Sequence, residues 1–135
     1  MIKVRKNSAL YRQLIELDAK VFPGCDNEFS PNRDWWVMMD GDNIIAYCGC
    51  LYKERICVFV RAWVARSHRN KGIHKKLIKI RIINAGIKKC KSIVTYTVRN
   101  NYASANNLIK AGFLLHNPMY AYAGSDVMYF VLHLV

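Results

Sequence analysis

With 135 residues and 53% hydrophobic content the chain fills one packed core and no second, so residues 1–135 read as a single domain. The 22% of charged residues argues against disorder, no apolar run is long enough to span a bilayer, and the N-terminal MIKVRKNS lacks the apolar centre of a secretion signal. The net charge of +12 is too one-sided for ordinary solubility, which mixes both signs.

Ile2-Lys3-Val4 alternates and predicts a short first strand. Ser8 has the chemistry of an N-cap, and Leu10, Leu14, Leu17 and Val21 follow at helical spacing until Pro23 and Gly24 stop the helix. The stretch PGCDNEFSP is turn-rich and carries Asp26 and Glu28, so it predicts a surface loop. Trp35 to Met39 and Ile44 to Tyr52 predict a hairpin around Asp40-Gly41-Asp42-Asn43. One of Trp35 and Trp36 is expected in the core and the other facing out, toward an acceptor or a partner chain. Arg55 to Val64 is a third β-type run. Ile73, Leu77, Ile80, Ile83 and Ile87 then form a helical stripe, with Lys75, Lys76 and Lys79 off it and Gly86 near its end. Ser92 to Val98 predicts a strand, Asn100 or Asn101 caps a helix that stops at Gly112, and Phe113–Leu115 and Val127–Val135 predict closing strands. This order gives an α/β or α+β single sheet with a parallel crossover at Val64–Ile73, and ligands in such sheets sit at the carboxyl ends of strands.

The basic residues are unevenly placed. Residues 1–54 hold seven Lys/Arg against eight Asp/Glu, whereas residues 55–125 hold fourteen Lys/Arg and no carboxylate. Such a surface awaits a polyanion, and two fit: a phosphorylated cofactor or a nucleic acid. The five cysteines (Cys25, Cys48, Cys50, Cys57 and Cys90) form no CxxC pair, which suits a reducing, cytoplasmic setting. Cys48 and Cys50 share a strand face, as a metal or redox pair would, but free cysteine is chiefly a small core hydrophobe; no metal site is expected.

The chemistry concentrates where Val64 ends a strand, Arg69-Asn70-Lys71-Gly72 forms a loop and a helix starts at once. Free N–H groups at a helix start, with the positive end of its dipole, bind anions. Gly72 admits a phosphate close to the backbone, and Arg69, Lys71 and Lys75 add charge. The loop is neither GxxxxGK[ST] nor GxGxxG, so it predicts a phosphate cradle of another kind.

Arg69-Asn-Lys-Gly72-Ile-His74 resembles the (Q/R)xxGx(G/A) signature of the GNAT superfamily of N-acetyltransferases, and Asn101-Tyr-Ala-Ser104 with Leu108-Ile-Lys-Ala-Gly112-Phe113 is similar to that family's later helix. The resemblance implies a single mixed, mostly antiparallel sheet of six to seven strands with a central parallel pair, flanked by three to four helices. It implies acetyl-CoA as donor, an unidentified primary amine as acceptor, direct attack on the thioester, and a homodimer through the closing strands. Backbone groups of Trp63 and Val64, at a bulge where the strand splays from its neighbour, would bind pantetheine and polarise the carbonyl. Arg69, Asn70, Lys71, Gly72, Ile73 and His74 would hold the pyrophosphate, and Asn101 and Ser104 the other side of the pantetheine.

Three positions depart from that pattern. His74 replaces a small residue; it either donates to phosphate or faces outward, the second being the expectation. Leu108 stands where a tyrosine commonly protonates the thiolate, leaving Tyr102, Ser104, Tyr120, Tyr122 or water. Val58 stands where relatives carry a basic glutamate, leaving Glu54, Asp26, Glu28, Asp34, His68 or water, among which Glu28 and Asp26 are favoured because their loop borders the acceptor site in this family. Two other readings remain beside the enzyme: a nucleic-acid-binding protein using the basic face from Arg61 to Lys91, and a non-catalytic acyl-CoA binder.

Overall fold

Alternating β-branched and aromatic residues build the strands, and apolar residues returning every three to four positions build the helices. The computed structural model describes residues 1–25 and 28–134. Its elements are β1 (Ile2–Lys3), α1 (Ala9–Val21), β2 (Arg33–Asp40), β3 (Asn43–Lys53), β4 (Ile56–Val64), a 3-10 turn (Arg66–His68), α2 (Ile73–Ile87), β5 (Ser92–Val98), α3 (Tyr102–Lys110), β6 (Leu114–His116) and β7 (Val127–His133). The strands form one sheet in the order β1-β2-β3-β4-β5-β7-β6. Among the described residues only β4 and β5 run parallel; the other neighbours are antiparallel. This is the mixed sheet that the motifs implied.

Two helices start as their sequences predict. Ser8 Oγ accepts from the Tyr11 N–H at 3.1 Å, and Asn101, rather than Asn100, caps α3 by accepting from the Ser104 N–H at 3.2 Å. Each removes an unsatisfied donor from a helix end.

The sheet is covered on both faces. Leu14 of α1 is buried with Trp35, Val37 and Tyr47 on one side; Leu77 and Ile78 of α2 and Leu108 of α3 are buried with Trp36, Cys48, Cys50 and Phe59 on the other. Neither tryptophan therefore faces out: Trp35 is 2% exposed and Trp36 4%. Alternation does send the two rings to opposite faces, but a helix lies over each face.

The helical stripe also needs correction. The buried positions of α2 are Ile73, Leu77, Ile78, Arg81 and Ala85, whereas Ile83 and Ile87 are exposed. Isoleucines stand around much of this helix, so spacing alone does not choose the inward face; docking on the sheet does.

One irregularity shapes everything downstream. Cys48 pairs with Ala62 and Gly49 with Val60, so Arg61 is an extra residue in β4, and it adopts φ 51°. A bulge bends and twists its strand. β4 pairs with β5 only through Ile56, Cys57 and Val58, and beyond Val58 the two strands separate. The bulge lies at Arg61, upstream of Trp63 and Val64 where the sequence expectation had it. Arg61 is held by an ion pair from its Nε to Asp18 Oδ1 at 3.1 Å, and Asp18 also accepts from the Tyr47 hydroxyl at 2.6 Å. Opposite the bulge, a Cβ on Gly49 would lie 2.7 Å from the Trp35 ring. Gly49→Ala is expected to destabilise the fold by about 1–3 kcal/mol, read from the midpoint of urea unfolding.

Candidate functional site

Where β4 and β5 separate, the unpaired edge of β4 faces a cleft of about 730 Å³. β4 contributes Ala62, Trp63 and Val64 to its wall, and the following loop contributes His68, Arg69, Asn70 and Gly72. α2 adds Ile73, His74 and Lys75, and the α3 side adds Asn101, Ser104, Asn107 and Lys110. Nine of the residues expected to bind cofactor are thus brought together: Trp63, Val64, Arg69, Asn70, Gly72, Ile73, His74, Asn101 and Ser104. Lys71 is exposed and outside the lining; Lys75 and Lys110 supply the ammonium groups there instead.

The loop is shaped for backbone donation. Arg69 Nε donates to the Val64 carbonyl at 3.0 Å, tying the loop back to the strand end. Asn70 (φ 63°) and Gly72 (φ 78°) turn the chain through left-handed conformations into α2. Gly72 is the N-cap of α2 and offers no side-chain acceptor, unlike Ser8 of α1 and Asn101 of α3. The first N–H groups of α2 therefore lack an internal acceptor, and the dipole adds partial positive charge where Arg69 and Lys75 add full charges. Ile73 itself is 7% exposed, so its side chain belongs to the core and only its amide can serve a ligand. The set fits a diphosphate.

His74 does not face outward as expected. It lies between α2 and α3, where its Nδ1 is 3.0 Å from Asn107 Nδ2. Burial, reinforced by the Arg81 charge, lowers its pKa from 6.5 to about 4. The ring is therefore neutral at pH 7; with Nδ1 accepting from the Asn107 amide, Nε2 carries the proton and is a donor. A depressed histidine binds its proton more readily in the unfolded chain, so stability is full above pH 6.5 and declines as pH falls toward 4. The loss reaches roughly 3 kcal/mol when both states are fully protonated. His74→Asn is expected to flatten that part of the stability profile, measured by urea titrations across the range.

A second cavity of about 650 Å³ joins the first through shared walls at Ala62, His74, Asn101 and Ser104. Val58 to Ala62 of β4 and Thr95 to Val98 of β5 flank it, and Phe22, Glu28 and Tyr122 lie on its lining. The gap between β4 and β5 thus connects a phosphate-binding end to a second chamber.

The candidate acids and bases separate by position. Glu28 is on the lining of the second cavity and accepts from Arg33 Nε at 3.1 Å. Among the described residues it is the one carboxylate there. Asp26 lies outside the described residues. Asp34 is bound to Lys3 (3.6 Å) and Asn84 (3.3 Å), and Glu54 occupies the β3–β4 turn; neither is on either lining. His68 borders the first cleft but pairs with Asp40 at 3.4 Å. Ser104 borders both chambers, whereas Tyr102 and Tyr120 are exposed and border neither. Tyr122 lines the second, stacked edge-on with Tyr129 (5.3 Å) and beside Tyr96 (6.0 Å), and burial raises its phenol pKa. Leu108 is 3% exposed, and its apolar side chain borders the second chamber without a group that can give or take a proton. Burial pushes the Cys48 thiol up to about 12, so it is no nucleophile at neutral pH.

Sequence reasoning missed Asn107, Phe59 and Arg81. The signal for Arg81 was present: it interrupts an apolar run at the 73, 77, 81, 85 spacing that proves to be the buried face.

The sequence matches the Acetyltransferase (GNAT) family over residues 5–113. The chain belongs to that family, and acyl transfer from an acyl-CoA is the activity the membership carries. No curated protein matches it in sequence. Among solved structures, a proposed acyl-CoA N-acyltransferase from Klebsiella pneumoniae superimposes with a TM-score of 0.79 at 14% identity, covering 99% of this chain and 96% of the other. An acetyltransferase of the GNAT family from Staphylococcus aureus gives 0.74 at 16%, covering 99% of both chains. A Bacillus subtilis acetyltransferase solved with CoA gives 0.66 at 14%, covering 94% and 86%. At these identities the likeness establishes the fold.

Proposed function

We propose that the protein transfers an acetyl group from acetyl-CoA directly to a primary amine, without an acyl-enzyme. The observation that carries this reading is the opening between β4 and β5, which joins an anion-binding cleft to a second cavity through shared walls at Ala62, His74, Asn101 and Ser104. The α2 amides, Arg69, Lys75 and Lys110 hold the diphosphate of the donor. Pantetheine lies along the open edge of β4 at Ala62–Val64, with Asn101 and Ser104 opposite. The thioester carbonyl then meets main-chain N–H groups that no strand neighbour occupies, and these stabilise the charge that develops on oxygen.

The amine enters through the second cavity. Its proton passes to Glu28, directly or through water, and the neutral nitrogen attacks the carbonyl carbon. The C–N bond forms as the C–S bond breaks; the nitrogen sheds its excess proton to water in the gap, and the departing thiolate takes one from solvent, directly or relayed through the Ser104 hydroxyl. Leu108 cannot supply it. Holding both reactants in one gap provides much of the acceleration.

Acetyl-CoA at a hundredfold excess over its Kd is expected to stabilise the protein by about 2.7 kcal/mol, visible as a raised melting temperature. Thiol release with a panel of primary amines then reads turnover. No stabilisation at saturating ligand rejects the reading, and stabilisation without turnover reduces it to an acyl-CoA binder.

A second reading rests on the exposed lysines of α2 and its C-terminal turn, Lys75, Lys76, Lys79, Lys88 and Lys89, more charge than one CoA requires. In it the acceptor amine is borne by a nucleic acid or a nucleic-acid-bound protein. Retention of RNA or DNA with a steep salt slope at physiological ionic strength supports it; loss of all retention there dismisses it.

A further inference from the structure

Arg81 places a guanidinium inside the core. It is 2% exposed, on the inward face of α2, and among the described residues no carboxylate lies within ion-pair distance of it. Its Nε donates to Leu77 O at 3.0 Å, and its Nη1 to Arg61 O at 3.2 Å and Gly49 O at 3.4 Å. Its Cζ stands 3.9 Å from the centroid of the Phe59 ring. These contacts hold the group in place, on the bulge carbonyl itself, but they leave a full positive charge without a counter-ion in a low-dielectric setting, which is costly.

The remaining nitrogen, Nη2, has no acceptor among the described residues. The only enclosed side-chain polar atoms without a partner among the described residues are Trp35 Nε1 and Thr97 Oγ1, so Nη2 is not sealed in; it is reached from the second cavity, which Arg81 lines. Thr97, with its hydroxyl unpartnered, borders the same cavity. Glu28, the one carboxylate on that lining among the described residues, is engaged by Arg33. A fixed, planar donor, desolvated and unneutralised beside an open chamber, is the chemistry of a carboxylate receptor.

We propose that Arg81 reads a carboxylate on one of the two reactants, binding it through Nη2 beside the bulge of β4. This rests on the acyltransferase reading and narrows its substrate class. Two sources carry that group: an amino acid as acceptor, or a dicarboxylic acyl chain on the donor. Either brings the negative charge that the buried guanidinium lacks.

Calorimetric titrations in two arms test this. The donor arm compares succinyl-CoA with butyryl-CoA, similar in length but neutral at the end. The acceptor arm compares phenylalanine with phenylalaninamide, with and without CoA present. In one arm the carboxylate member is expected to bind about tenfold to a hundredfold more tightly, the range for a hydrogen bond to a charged group. Arg81→Met is expected to bring that ratio close to one, and Arg81→Lys to retain part of it. A role confined to bracing the bulge would weaken both members alike and leave the ratio standing. A wild-type ratio near one in both arms overturns the proposal, as does a ratio that survives in Arg81→Met; if the methionine variant does not fold, the wild-type ratio decides together with a decline in Arg81→Lys. Failure of the acyltransferase reading looks different: neither CoA ester binds, while the acceptor arm without CoA still reports on the carboxylate.

Discussion

Gly72→Glu is expected to raise the Kd for acetyl-CoA by more than about a hundredfold, for two separable reasons. The first is conformational. Gly72 sits at φ 78°, where an L-residue costs roughly 1–2 kcal/mol, so Gly72→Ala alone is expected to weaken binding by about tenfold as the loop shifts to relieve the strain. The second is electrostatic. A carboxylate at the start of α2 opposes the phosphates across a few ångströms, a repulsion on the order of 3–4 kcal/mol at the effective dielectric of a protein surface. A Cβ at this position meets no protein atom within 4 Å, so the variant is not excluded on steric grounds and lost affinity can be assigned to the cradle. Calorimetry with acetyl-CoA measures both variants, and an unchanged Kd in Gly72→Glu removes the diphosphate from this loop.

Glu28→Gln is expected to lower kcat by about 10²–10³-fold while the Kd for acetyl-CoA stays within about twofold, because glutamine fills the same space but takes no proton. The side chain lines the second cavity and not the first cleft, so the effect is expected on turnover rather than on CoA binding. Arg33, whose Nε donates to the carboxylate at 3.1 Å, aims it, making Arg33→Gln a second, smaller loss. Steady-state kinetics with any accepted amine reads both. A kcat that persists in Glu28→Gln assigns the amine proton to water, an outcome consistent with Val58 at the usual position of the base.

Much of the fold was legible because local chemistry agreed with the global result. Ser8 and Asn101 stand where helix starts need side-chain acceptors, Asp40-Gly41-Asp42-Asn43 where a hairpin needs to turn, and Gly72 where the backbone must adopt positive φ. These are signals whose cause lies within a few residues, and the loop expected to cradle phosphate is made of them. The misreadings share a different cause. Trp35 and Trp36 were separated correctly by strand alternation, yet whether a face is covered depends on a helix distant in sequence. The stripe on α2 was misplaced because isoleucine is acceptable on more than one side of that helix, so the docking geometry chose the side.

Sequence by itself determined the elements, the family and the nine positions, expected to bind cofactor, that meet in the cleft, since motif spacing and turn chemistry act over short range. Only the tertiary structure decided how His74, Glu28 and Arg81 are used. His74 becomes a neutral ring because α3 lays Asn107 against it and burial removes its water. Glu28 reaches the second cavity because Arg33 at the start of β2 holds it there. Arg81, an ordinary basic residue in the string of letters, becomes a buried cation with no carboxylate partner among the described residues because the bulge at Arg61 turns a carbonyl inward to receive it. Charge state and exposure depend on what the rest of the chain places within a few ångströms, and no local pattern encodes that.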